Sequence, residues 1–141
     1  MPNTLVAEQD VQCITMPADA DLFTTSYQFY IGAIDRTDYT IKVATVADSA
    51  TEPPIGVIYD KPKGKWANCL LAIGGVAKVE CGGGFAAGDA ITCNGSGLAI
   101  KTTTAGDKCI GRALSVGGFR QYSFCTVGNV HVRSNRLRLL N

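Results

Sequence analysis

The chain of 141 residues is poor in the groups that carry most enzyme chemistry. It has one histidine, His131, and its six cysteines stand singly at 13, 69, 81, 93, 109 and 125 with no Cys-x-x-Cys pair. Zinc ligation and dithiol redox chemistry need clustered Cys and His, so no metal site and no redox pair is expected. No Gly-x-Ser-x-Gly elbow occurs, and a nucleophile would have to draw on His131 near the end of the sequence. There is no Gly-Lys-Ser/Thr either, which excludes an ATPase-type phosphate loop. A dinucleotide fingerprint must open a helix, and "FAAGDAITC" after Gly84 is too short before its own Gly-Asp turn. No catalytic residue and no cofactor is therefore expected.

Long hydrophobic runs are missing too. Nothing approaches the roughly 20 apolar residues that span a bilayer, and "MPNTLVAEQDVQC" lacks the basic start and apolar core of a signal peptide. The expectation is a soluble chain with no membrane partner, made in a reducing cytoplasm with its cysteines as small buried thiols. Net charge is only +1, which argues against direct nucleic-acid binding through many released counterions. The distribution is uneven: residues 1–107 hold all 12 acids and 7 of the 13 bases, whereas residues 108–141 hold 6 bases and no acid. The two ends can attract unlike-charged neighbours.

What is present is glycine, and it punctuates strands. In "VAKVEC", Ala77, Val79 and Cys81 alternate with Lys78 and Glu80, the period of a half-buried strand. "SYQFYIGAI", "YTIKVATV" and "PPIGVIYD" are rich in aromatic and β-branched residues, and in the second Tyr39, Ile41 and Val43 alternate with Thr40, Lys42 and Ala44. "ANCLLAIGGVAKVEC" makes one or two strands, Asn94-Gly95 marks a hairpin, and "DKCIGRALSV" and "RQYSFCTVGNVHV" complete the set. No segment has a helical period longer than two turns. The fold expected is all-β, a small single-domain β-barrel or tulip-like sandwich of eight to ten short strands.

Three parts are expected. Residues 1–25 read as an extended N-terminal arm, carrying Glu8, Asp10, Asp19 and Asp21 with no base. Residues 26–130 form the β-rich core, and residues 131–141 a basic C-terminal tail with Arg133, Arg136 and Arg138 among leucines. The sole tryptophan, Trp66, lies in the lysine-rich loop "DKPKGKWA", where it either anchors an interface or caps one end of the domain.

Two resemblances bear on function. "GAIDRTDYT", residues 32–40, looks like the substrate motif of trimeric all-β deoxyuridine triphosphatases. It has one residue too many between Asp35 and Asp38, and on a strand a one-residue slip turns the following side chains to the other face. Residues 54–114, "PIGVIYD" through "IGRAL", resemble the tailed-bacteriophage capsid cement, or head decoration, proteins. An "IGV" strand, a "GGVAKV" strand, an "AGD-IT" turn, a small-residue hairpin and a "GRAL" strand follow in that family's order.

The second resemblance implies a structural virion protein, not an enzyme. It would sit on the outer capsid surface as a homo-trimer, bridge neighbouring copies of the major capsid protein and stabilise the shell. Glu8, Asp10, Asp19, Asp21, Trp66, Arg133, Arg136 and Arg138 are then the expected contact residues. Two alternatives stay open: a nucleotide hydrolase using Asp35 and Asp38, and a virion-displayed carbohydrate- or host-binding module using Tyr27, Tyr30 and Tyr59.

Overall fold

The computed structural model describes residues 8–19, 22 and 26–128. Nine strands are present among them: β1 (Gln9–Pro17), β2 (Ile31–Ile34), β3 (Ile41–Val43), β4 (Gly56–Ile58), β5 (Asn68–Glu80), β6 (Ala90–Cys93), β7 (Ala99–Lys101), β8 (Gly111–Arg112) and β9 (Tyr122–Val127). The described residues contain no α-helix, and the fold class is all-β as the alternating pattern predicts.

β5 is the spine. Its 13 residues pair on one side with β1 and on the other with β4 and then β9, all antiparallel. The larger sheet runs β1-β5-β4-β2-β3, with β9 branching from the second half of β5. A smaller sheet, β7-β6-β8, faces it and is tied on by bridges between Cys81 and Ala99 and between Ala113 and Cys125.

A strand this long has to change faces. Cys69 and Leu71 point into one core cluster with Ile41 and Ile58, whereas Ala77 and Val79 point into the other with Ile91, Cys93 and Ile110. Ala72 already belongs to the second cluster, so the inward parity flips between residues 72 and 77. Gly74-Gly75 lies at the flip: Gly75 has φ +85°, and the β1 register is irregular opposite Gly74. A bulge at a glycine pair resets which residues face inward, and without it half of the apolar side chains would face water.

The larger sheet also rolls. Its two ends, β1 and β3, are far apart in strand order, yet Ala18 bridges Ile41 and the Asp19 N–H donates to the Ile41 carbonyl at 2.9 Å. The roll encloses Ile41, Ile58, Cys69, Leu71, Ala18 and Leu22. A single bridge closes it, so the arrangement is a curled sheet backed by a small second sheet.

Several local expectations differ from the structure. Within the segment expected as an extended arm, residues 9–17 are extended and belong to the main sheet, with Val11, Ile14 and Met16 packed on the two clusters. Ser26–Tyr30 turns instead of continuing into β2, because Phe29 takes φ +75° and the Tyr30 N–H bonds back to the Tyr27 carbonyl. Tyr39 is 69% exposed at φ +58° while Thr40 is buried. The hairpin closes between Asp35 and residues 39–40, so inward alternation begins only at Ile41.

Five of the six cysteines are buried and all six are free. Burial pushes the Cys69 and Cys93 thiols up to about 11 and Cys125 up to about 12. Tyr59 is also raised, first by burial and then by donating its hydroxyl to Glu8, while the same oxygen accepts the Lys78 N–H at 2.8 Å.

These features give two expectations. Gly111 and Gly56 have no room for a Cβ, which would stand 1.6 Å from the Thr126 carbonyl oxygen and 2.1 Å from that of Ala72. Gly111→Ala is expected to cost about 2–4 kcal/mol in denaturant unfolding, whereas Gly95→Ala, with nothing within 4 Å of its Cβ, should be near neutral. The buried thiols have folded pKa values above their ordinary 9.0, so their contribution is complete below about pH 9 and is lost as pH rises toward 11–12. Melting temperature followed from pH 7 to 11 should fall above pH 9. Thiol titration of the native protein should modify Cys13 alone.

Candidate functional site

The sequence-predicted contact residues do not form one centre. Glu8 and Asp10 lie at the start of β1, Glu8 accepting the Tyr59 hydroxyl and Asp10 exposed at φ +49° beside the register irregularity. Asp19 lies beyond the other end of the strand, nine residues from Asp10 and so up to roughly 30 Å away at about 3.3 Å per residue. Trp66 joins Asp19 there. Its backbone N–H donates to the Ala18 carbonyl at 2.8 Å, and the Ala18 backbone N–H donates to the Ala67 carbonyl at 2.9 Å. Asp21, Arg133, Arg136 and Arg138 lie outside the described residues.

Trp66 is 54% exposed, at φ +71°, with the Lys65 ammonium 5.0 Å from its ring centroid. Lys65 also reaches the Asp38 carboxylate at 4.0 Å. The roll's closure thus carries an aromatic surface flanked by both signs of charge.

Asp35 and Asp38, the carboxylates of the hydrolase alternative, are occupied locally. The Asp35 carboxylate accepts the N–H groups of Thr37 at 2.8 Å and Asp38 at 3.2 Å, closing the β2–β3 turn, and these donors hold its pKa low. Neither side chain lines the groove walled by Tyr27 and Tyr30. Among the described residues no three His, Cys, Asp or Glu side chains are grouped to hold a metal.

Two further surfaces lie outside the expected contact set, apart from Asp19 at the border of the second. The first is apolar. Leu114, Val116 and Tyr122 are 41%, 74% and 52% exposed around the β8–β9 connection, and the backbone ties Leu114 to Phe124 at 2.9 Å. Tyr122 is also the edge of an aromatic group: Phe29 packs edge-on against both Tyr59 and Tyr122, and the Lys78 ammonium sits 4.8 Å from the Phe29 ring and 4.4 Å from that of Tyr122. Tyr59 is therefore built into the domain, apart from Tyr27 and Tyr30.

The second is a groove of about 780 Å³, with Tyr27 and Tyr30 in its wall. Their rings meet edge to face, with centroids 5.0 Å apart at 85°. One rim is the Asn94–Gly97 turn, in which the Asn94 side chain accepts the N–H groups of Ser96 and Leu98. Gly97, at φ +85°, sits so close to the floor that a Cβ would stand 2.2 Å from Val43 and 3.3 Å from Tyr30. The other rim is Phe119-Arg120, with Phe119 68% exposed and Arg120 at φ +64°. Asn94-Gly95 was legible as a turn; that it overhangs Tyr30 depends on how the small sheet docks.

No protein family matches this sequence, and no curated protein matches it. Among solved structures the fold is similar to the crystal structure of the head fiber gp8.5 N base in bacteriophage phi29. The TM-score is 0.60 at 15% identity, and the match covers 85% of this chain and 99% of that one. At that identity the likeness is one of fold: this chain has the all-β architecture of a phage head fiber base.

Proposed function

We propose that this protein is a structural component of a phage virion that attaches to the outside of the head and reinforces it. The observation that supports this most directly is the fold likeness to a head fiber base over 99% of that chain. The ordered "IGV", "GGVAKV", "AGD-IT" and "GRAL" blocks point to the same class of protein from the sequence side. In this reading the chain binds major capsid subunits, works as a homo-trimer and bridges its neighbours.

Attachment then rests on surface contacts. The exposed face of Leu114, Val116 and Tyr122 supplies apolar area of the kind that marks a protein interface. Trp66 supplies a large ring at the closure of the roll. β1 is an edge strand, with no further strand on its outer side among the described residues, and such an edge accepts a strand from a neighbour through main-chain hydrogen bonds. Each contact alone is weak. A trimer that touches several subunits gains avidity, because every contact after the first is intramolecular.

Charge adds orientation. Glu8, Asp10, Asp19 and Asp21 on one side and Arg133, Arg136 and Arg138 on the other pair between subunits or with the shell. Exposed pairs of this kind are screened by salt.

The test mixes purified chain with undecorated heads and sediments them. Saturable co-sedimentation in fixed stoichiometry is expected, and no binding at any concentration overturns the reading. Val116→Asp and Trp66→Ala, both at exposed positions, are expected to weaken attachment about tenfold or more, about 1.4 kcal/mol, without unfolding the domain. Raising salt should weaken attachment of the wild-type chain; a salt-independent affinity removes the charge pairing and leaves the apolar contacts.

A further inference from the structure

We propose that the groove between the Asn94–Gly97 turn and the Phe119-Arg120 turn is a binding site for an uncharged oligosaccharide. Its volume of about 780 Å³ lies within the range of ligand pockets. It is an open trough, and three aromatic rings, Tyr27, Tyr30 and Phe119, contribute to its lining. Flat rings offer the apolar C–H face of a pyranose a matching surface, with little conformational entropy to lose on binding. Between the rings stand groups suited to sugar hydroxyls: the Ser96 hydroxyl, the Asn94 amide and the Arg120 guanidinium.

The charges in the groove favour a neutral ligand. Lys42 is held by Glu52 at 3.0 Å, and Arg120 lies 3.3 Å from the Glu80 carboxylate and 3.5 Å from the Tyr30 hydroxyl. Each cation already has its carboxylate, and Asp19 adds a negative charge to the lining. A phosphate or a uronic acid would find no cation free of a partner, whereas a hydroxyl can share the guanidinium with Glu80.

The groove's walls are held in shape. Arg120 keeps a left-handed backbone that a non-glycine residue rarely adopts, fixed by its N–H on the Cys81 carbonyl at 2.9 Å and by the Gln121 N–H on Gly118 at 2.9 Å. That conformation lays the guanidinium 5.7 Å from the Phe119 ring and turns it toward Tyr30. On the opposite rim the Ile31 N–H donates to the Gly97 carbonyl at 2.8 Å, locking the turn over the tyrosines. A site whose rims are fixed before binding loses less free energy on ordering.

The inference stands apart from head attachment, since the ligand is bound by the isolated chain and, of the proposed capsid contacts, Asp19 alone borders the groove. The experiment titrates the purified full chain with chitotetraose, cellotetraose and maltotetraose, followed by calorimetry and by saturation transfer from the tyrosine ring protons. Saturable binding of at least one is expected. Phe119→Ala and Arg120→Gly should each weaken it at least tenfold; glycine accepts the φ of residue 120, so the second variant keeps the turn. Both should sediment with heads as the wild-type chain does. No saturation by any of the three sugars at millimolar concentration overturns the proposal, as does binding that neither substitution changes. Loss of head attachment in both variants without sugar binding would assign the groove to the capsid contact instead.

Discussion

The backbone of β5 is the constraint on which the molecule depends. A strand paired on both sides must have every N–H and carbonyl met by a neighbour, because a buried unpaired backbone group costs about as much as a lost hydrogen bond. β5 draws those neighbours from three distant parts of the chain: β1 at the start, β4 in the middle and β9 near the end. It then divides its side chains between two core clusters by switching faces at Gly74-Gly75. Everything else is arranged around that strand: the roll of the larger sheet on one side of the switch, and the small sheet docked on the other.

A fold organised in this way leaves its functional groups on the periphery. Alanine, cysteine and glycine pack between the isoleucines, valines and leucines of the interior and let the sheets approach, and the Cβ-free contact of Gly111 with the Thr126 carbonyl shows how tightly the layers meet. Polar and large aromatic residues are pushed to the turns, where several backbones take the left-handed conformation: Phe29, Tyr39, Trp66 and Arg120. At Trp66 and Arg120 that conformation presents a side chain at the closure of the roll or the rim of the groove. Binding in such a protein is a matter of fixed turns on a rigid support.

Much of the fold was legible because alternation survives wherever a strand has one wet face. Ala77, Val79 and Cys81 are buried and Lys78 and Glu80 are not, as their spacing says, and Asn94-Gly95 opens the expected turn, whose left-handed residue is Gly97. The pattern misled where a turn intruded. The tyrosine-rich run before Ile31 looked like a strand but bends at Phe29, and Tyr39 sits outside because Asp35 closes the hairpin beneath it. The acids of residues 8–19 suggested an extended segment, and Ile14 and Met16, two apart on one core cluster, with Val11 on the other across the irregular register, show how that extended segment packs on the sheet.

The sequence by itself determined the class of fold, the positions of most turns and the scarcity of catalytic groups, because each of these depends on residue type and on contacts a few residues apart. Tertiary structure alone decided that one strand serves both cores, that Ala18 meets Ile41 to close the roll, and that Tyr27, Tyr30, Asn94 and Arg120 share one groove. These juxtapositions bring together residues up to some ninety positions apart, as between Tyr30 and Arg120. They follow from strand order, twist and sheet docking, which local periodicity does not encode.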